Sequence, residues 1–459
     1  MDRRWFVTFN ISIGIFMSTV DASVVNISLP TIIQSLNTHL KAAAWVVMAY
    51  LIVITGCLLL MGRLSDHLGQ RRVYGWGFFV FTVSSALCGF SPSIYFLIGS
   101  RMLQGIGSAA LMVVGPAILT TAYPEKERGE ALGIAGAVVS AGFLAGPILG
   151  GILVEHFGWR SVFFINLPIG AVGILLSSKI PENKISEDKV KIDFKGALLL
   201  FLFITFLFLF LNQVGHGSKH LSLGLLALSL ACFALFAAVE IRGPSPLVDL
   251  RLFKKNRLFT SSLGATFLSF WVAGAHTFVI PFFLQNVLQF PPTKVGILIF
   301  PISLTVMVCA PLGGRISDRV GVRLPATLGL ILTSLTVFSF SLLKGGASEY
   351  AILWRQILLG LGIGLFNPAN NSAIIGSFPR ERVGLASSFL ALSRNLGIVV
   401  GVAFAEMVID LASPVATLEK GGPSLGSIQE VWRLVLIMGL GAILLSWIRE
   451  TRPGFSKPR

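Results

Sequence analysis

The chain has 459 residues, 54% of them hydrophobic and only 12% charged, where an ordinary soluble domain is about a quarter charged. Those proportions exclude a soluble enzyme, a disordered chain and a nucleic-acid binder of the usual kind, and they point to an all-α integral membrane protein. The net charge of +15 would suit a polyanionic partner, but the placement of the basic residues explains it otherwise.

An apolar run of about 20 residues crosses the hydrocarbon core as a helix. Fourteen such runs follow one another: 5–33, 44–62, 72–91, 94–122, 129–154, 161–179, 196–213, 221–241, 258–287, 294–313, 324–343, 350–376, 383–409 and 431–448. The first follows Met1-Asp2-Arg3-Arg4, but it is too long for the core of a signal peptide and has no small-x-small cleavage site, so it is expected to remain as a helix. Placing the N-terminus in the cytoplasm puts 26 of the 36 Lys and Arg in cytoplasmic segments, 7 outside and 3 within the membrane (Arg101, Arg355, Arg394). One missed span would scramble that asymmetry, so it supports the count, and both termini are expected to be cytoplasmic. The basic excess serves topology, and nucleic acid is not needed to explain it. The four cysteines lie apart within apolar runs, without metal-ligand or disulfide spacing, and no metal or cofactor is expected.

The chain carries an internal duplication. Gly62-Arg63-Leu64-Ser65-Asp66-His67-Leu68-Gly69-Gln70-Arg71 recurs as Gly314-Arg315-Ile316-Ser317-Asp318-Arg319-Val320-Gly321-Val322-Arg323, with six of ten positions identical at an offset of 252. Arg101 and Arg355 stand 254 apart, as do Glu127-Arg128 and Glu381-Arg382. Both copies of the first motif are expected in cytoplasmic loops, so the two halves share one orientation. Eight runs separate the copies, which leaves six per half and two inserted, 196–213 and 221–241. The expected organisation is an N-terminal six-helix bundle over 1–180, a cytoplasmic linker with two inserted helices over 181–257, and a C-terminal six-helix bundle over 258–459. Parallel six-helix halves are the layout of a secondary transporter whose site lies at the membrane midplane.

Four motifs give the chain a resemblance to the major facilitator superfamily, in particular to its fourteen-helix drug:proton antiporters, over nearly its whole length. The segment from Gly62 to Arg72 resembles the family's connection between the second and third helices. The resemblance implies a gating role for Gly62, Asp66, Gly69, Arg71 and Arg72, with Asp318 in the second copy: the charges latch one state and separate in the other. Arg101-Met102-Leu103-Gln104-Gly105-Ile106-Gly107 resembles the fourth-helix motif whose intramembrane arginine takes part in proton coupling. Gly142, Gly146, Pro147, Gly150 and Gly151 match the fifth-helix motif associated with antiporters; the second half keeps only Gly397 and Gly401, without the proline. Asp21-Ala22-Ser23-Val24-Val25-Asn26-Ile27-Ser28-Leu29-Pro30 resembles the first-helix motif, departing at Ser23 and Ser28, where Thr and Ala are usual.

Asp21 is the only carboxylate more than about two turns from either end of its span, and a lone acid there takes a proton when unpaired and ionises when paired or wetted. That is the behaviour of a proton carrier, with Arg101 as its partner. Glu406, near the end of its span, reads equally as a second proton site or an interfacial residue. His276 at mid-span could titrate near neutral pH or be a satisfied interior histidine. Asn26, Gln104, Trp271, Gln285 and Asn286 are candidates to line a weakly polar, aromatic substrate cavity. Arg394, too deep to reach the surface, is open to structural pairing or to anion binding.

These readings together predict a proton-coupled antiporter that exports small amphipathic compounds by alternating access, a monomer in the bacterial cytoplasmic membrane whose partners are substrate, protons and lipid. The alternative is a metabolite importer or uniporter on the same fold. Neither HExxH nor a pair of intramembrane aspartates is present, so an enzyme is not expected.

Overall fold

The structure is a computed structural model, and it describes residues 3–124, 128–180, 194–213, 219–242, 256–378, 383–412 and 423–448. Among these residues the secondary structure is helical throughout, without strands. Fifteen α-helices follow in order: α1 Arg3–Ser35, α2 Leu40–Leu68, α3 Gln70–Gly89, α4 Ile94–Ala122, α5 Arg128–Phe157, α6 Ser161–Phe164, α7 Asn166–Ser177, α8 Phe194–Gln213, α9 Lys219–Arg242, α10 Arg257–Phe282, α11 Pro292–Val320, α12 Arg323–Phe340, α13 Glu349–Gly376, α14 Val383–Ala412 and α15 Leu425–Trp447. Eleven of them are long and apolar enough to cross a membrane, and the protein is integral to it.

Three local features depart from the pattern expected of the sequence. The run at 161–179 is broken into α6 and α7 at Ile165, and the run at 258–287 ends in a π-helical turn over Phe283–Val287 after Pro281. The duplicated motif is not a loop. Residues 62–68 prolong α2 and residues 314–320 prolong α11; each helix then stops at a single glycine, Gly69 at φ 93° or Gly321 at φ 85°. A side chain is strained at such φ, which is why glycine stands at both turns.

The chain divides into two compact units, one comprising Met1–Val248 with Pro291–Ile297, the other Asp249–Phe290 with Leu298–Arg459. In the first, α3 crosses α4 where Gly77 meets Gly107: a Cβ on Gly107 would lie 2.8 Å from the Gly77 carbonyl oxygen. In the second, α12 crosses α13 where Gly329 meets Gly362, and a Cβ on Gly329 would lie 2.5 Å from the Gly362 carbonyl oxygen. Burying apolar side chains gives helices in lipid no hydrophobic advantage, so backbone approach through small residues supplies the contact. Serine caps recur as well: Ser93 accepts from the Phe96 amide at the start of α4 and Ser348 from the Ala351 amide at the start of α13.

The helices over the two runs expected to be inserted, α8 and α9, pair with each other, and α8 lies on α2, where the Phe201 ring fills the space beside Gly56. The outer face of α9 presents Leu223, Leu230 and Leu235, each more than half exposed, as a lipid-facing surface requires.

Candidate functional site

The first unit holds a deeply buried charged centre. Asp21 on α1 and Arg101 on α4 each retain about 1% of their accessible surface, and an Arg101 Nη1 donates to Asp21 Oδ2 at 2.6 Å. The same nitrogen donates to Gln104 Oε1 at 2.5 Å, and Arg101 Nε donates to the Val46 carbonyl on α2 at 3.2 Å. The guanidinium stacks 3.8 Å above the Tyr50 ring, whose hydroxyl donates to Ser108 Oγ at 2.9 Å. An arginine so held does not snorkel.

The other carboxylate oxygen, Asp21 Oδ1, accepts from Gln104 Nε2 at 3.0 Å and from Asn166 Nδ2 on α7 at 2.9 Å. Ser85 Oγ on α3 lies behind them, accepting from Gln104 Nε2 at 2.6 Å and Asn166 Nδ2 at 3.2 Å, with the Cys88 thiol 3.9 Å from Gln104 Oε1. Three donors therefore saturate a carboxylate in a site closed to water, and removing one partner of a buried ion pair costs about 3–5 kcal/mol.

Asp21 and Arg101, expected from the sequence as partners, thus meet, and Gln104, expected to line the substrate cavity, joins them instead. Tyr50, Ser85, Cys88 and Asn166 complete the centre without having been singled out, although Asn166 is a lone amide within an apolar run and could have been flagged on that ground. Asn26 does not join it; its amide donates to the Ala22 carbonyl one turn back on α1.

The fifth-helix motif sits beside this centre. Gly142, Gly146 and Gly150 form one stripe of α5 against Thr19, Ser23 and Val24 of α1, and a Cβ at Gly146 would overlap the Ser23 side chain. Gly151 and Pro147 face the other way: a Cβ on Gly151 would lie 2.5 Å from the Pro292 carbonyl oxygen, and the Pro147 carbonyl meets Gly296. Glu155 Oε2 accepts the Thr293 amide at 2.9 Å, capping the start of α11. In the second unit Gly397 and Gly401 approach Phe267 and Trp271 of α10 in the same manner.

The remaining candidates of the second unit are dispersed. His276, 2% exposed, stands against Phe340 (centroids 4.8 Å apart) and Trp432 (6.1 Å), with the buried Gln356 side chain beside it. It is a buried histidine in an aromatic nest. Trp271 packs edge-on against Phe267 and Phe404. Glu406 is buried on α14, Gln285 and Asn286 sit in the π-helical turn, and Arg394 is partly accessible on α14. Of the gating residues, Asp318 is exposed, Arg71 is half-buried and Arg72 is exposed; Gly62 faces Val113 at 3.3 Å, and the Asp66 side chain lies outside the described residues. Glu127, Glu381 and Arg382 also lie outside them.

Comparison with known proteins places this geometry in context. The profile of the Major Facilitator Superfamily matches residues 11–402 and 263–459. The riboflavin transporter RibZ of Clostridioides difficile (strain 630) is 37% identical over 405 residues, 88% of each chain. The multidrug resistance protein Stp of Mycobacterium tuberculosis (strain CDC 1551 / Oshkosh) is 33% identical over 395 residues, 85% of this chain and 73% of that one. Among solved structures, a bacterial homologue of the human lysosomal transporter Spinster, inward-facing and unoccupied, superposes with a TM-score of 0.69 at 16% identity, covering 98% of this chain and 97% of that one. That likeness shows the fold alone.

Proposed function

The chain belongs to the major facilitator superfamily, hence is a transporter and not an enzyme, and from that premise we propose that it is a proton-coupled antiporter that exports small amphipathic compounds by alternating access. The observation that carries the reading is the Asp21–Arg101 pair, sealed from water and braced by Gln104 and Asn166. In the outward-open state Asp21 takes a proton, lets go of Arg101 and substrate leaves; in the inward-open state it loses the proton and substrate enters. Proton and substrate need not share a site, provided that both bias the same two-state element. Relatives named for multidrug resistance support export, as does the glycine-proline stripe of α5.

The reading includes fourteen spans, six in each half with α8 and α9 inserted, a domain division at 1–180, 181–257 and 258–459, and a monomer in the bacterial cytoplasmic membrane with both termini inside. Glu406 and His276 are secondary proton-site candidates; Asn26, Gln104, Trp271, Gln285, Asn286 and Arg394 are cavity candidates; the duplicated Gly62–Arg72 motif with Asp318 gates.

Everted vesicles acidified inside and carrying a pH-sensitive dye test the proposal against a panel of lipophilic cations, neutral drugs and amphiphilic anions. Proton release on adding a compound, abolished by Asp21→Asn while binding persists, is the expected result. Undiminished gradient-driven transport by Asp21→Asn would refute it. A second reading, a metabolite carrier without proton coupling, is favoured by the 37% identity to a riboflavin transporter; gradient-independent riboflavin flux in the same vesicles would bring it forward.

A further inference from the structure

Three arginines lie deep within spans, and two of them are fully accounted for. Arg101 is held by Asp21, Gln104, the Val46 carbonyl and the Tyr50 ring. Arg355 donates to the Ala351 carbonyl and to the Ser339 hydroxyl and carbonyl, and stacks 4.2 Å from the Trp354 ring. Arg394 has nothing comparable. Its guanidinium is surrounded by protein yet retains accessible surface, and among the described residues it has no hydrogen bond, ion pair or ring contact. It stands roughly 16 Å along α14 from Val383, at 1.5 Å per residue, beyond the reach of its own side chain to an interface.

Among the described residues no acid is paired with that charge. Asp21 belongs to the first unit and is saturated. Glu406 on the same helix is roughly 18 Å further along the axis, and it has a partner of its own. Asp318, on α11, is exposed near that helix's end. Five N–H donors on a permanent cation are costly to enclose without an acceptor, so such a group is kept for something that is not part of the chain. The adjoining helix adds a second donor with no acceptor. Trp271, whose backbone nitrogen would lie 3.1 Å from a Cβ on Gly397, has its indole N–H buried and unbonded.

We propose that Arg394 is the anion-recognition point of the second unit, and that the transported amphipathic compounds carry an anionic oxygen, a carboxylate or phenolate, which the guanidinium grips through paired N–H donors. Lipophilic monocations are correspondingly poor ligands. This rests on the export reading for the fate of the ligand but not for its binding.

Two xanthene dyes of opposite charge test it: fluorescein, an anion with both carboxylate and phenolate, and rhodamine 123, a cation on the same ring system. Binding to the purified full-length protein is read by fluorescence polarisation, with no gradient present. Wild type is expected to bind fluorescein more tightly than rhodamine 123. Arg394→Gln is expected to weaken fluorescein by about tenfold or more without weakening rhodamine 123, and Arg394→Lys, which keeps charge but not the fork, to fall between. Benzoate should displace fluorescein from wild type where benzylamine does not, a comparison that needs no variant. Absence of fluorescein binding by wild type, unchanged binding by a monodisperse Arg394→Gln, or failure of benzoate to compete would each overturn the proposal. Proton release driven by a cationic drug in everted vesicles, alongside such a failure, would leave the export reading standing and remove only this one.

Discussion

Asp21 reaches Arg101 across 80 positions of sequence, and its second oxygen reaches Asn166 across 145. The first-helix and fourth-helix motifs made the ion pair legible without a structure, because each places one costly charge inside a span, where opposite charges are drawn together. The amides and hydroxyls that hold the pair were less legible, since serine and asparagine also satisfy themselves on their own helix, as Asn26 does. Asn166 and Asp21 are expected to behave as one thermodynamic unit. Asn166→Leu should destabilise the detergent-purified protein by about 1–3 kcal/mol in the wild-type background and by much less when Asp21→Asn is already present, a coupling that a double-mutant cycle of thermal unfolding measures. Additive effects would show that Asn166 packs beside Asp21 without serving it.

Helices rather than residues were what the hydropathy pattern predicted well: a described helix lies over each of the fourteen apolar runs. The errors fell where polar residues extend a helix past its apolar part, as at 63–68 and 315–320, because a water-facing turn of helix looks like a loop to a hydropathy reading. Contacts between helices were hidden for another reason. Glycine carries no hydropathy signal to say which partner it meets, and only the structure joins Gly77 to Gly107 or Gly146 to Ser23. Such crossings have no slack. Gly146→Leu is expected to lower the stability of the purified protein by about 1–3 kcal/mol or more through overpacking against α1, and to lower transport with it. Gly99→Ala, on a helical surface with nothing within 4 Å, should leave stability unchanged or raise it by a few tenths of a kcal/mol to about 1 kcal/mol. Equal losses at both positions would mean that helix propensity, not the α1–α5 contact, governs the response.

For the molecule as a whole, the distribution of lysine and arginine predicts a sidedness that can be checked directly. In a background lacking its four cysteines, Gly346→Cys, between α12 and α13, should react with a membrane-impermeant maleimide added to intact cells, and Arg319→Cys, at the end of α11, only after the membrane is opened. Labelling of both from the same side would displace the span assignment between them. The duplication also extends further than sequence identity suggests: paired glycine crossings, matched serine caps and matched left-handed turns recur in both units. What did not duplicate is the chemistry. Among the described residues, the first unit buries the Asp21–Arg101 pair, while the second buries a histidine in aromatic rings and keeps a half-buried arginine, Arg394, without a counter-ion.

The turns at Gly69 and Gly321 have a mechanical consequence. A joint of one residue, Gly69, between α2 and α3, and of two, Gly321 and Val322, between α11 and α12, has almost no free length in which to store displacement, so each pair of helices is a lever bent at a fulcrum. Force applied at one arm arrives at the other as torque, almost without delay or loss. A longer, looser joint would act as a spring and let the arms move out of step.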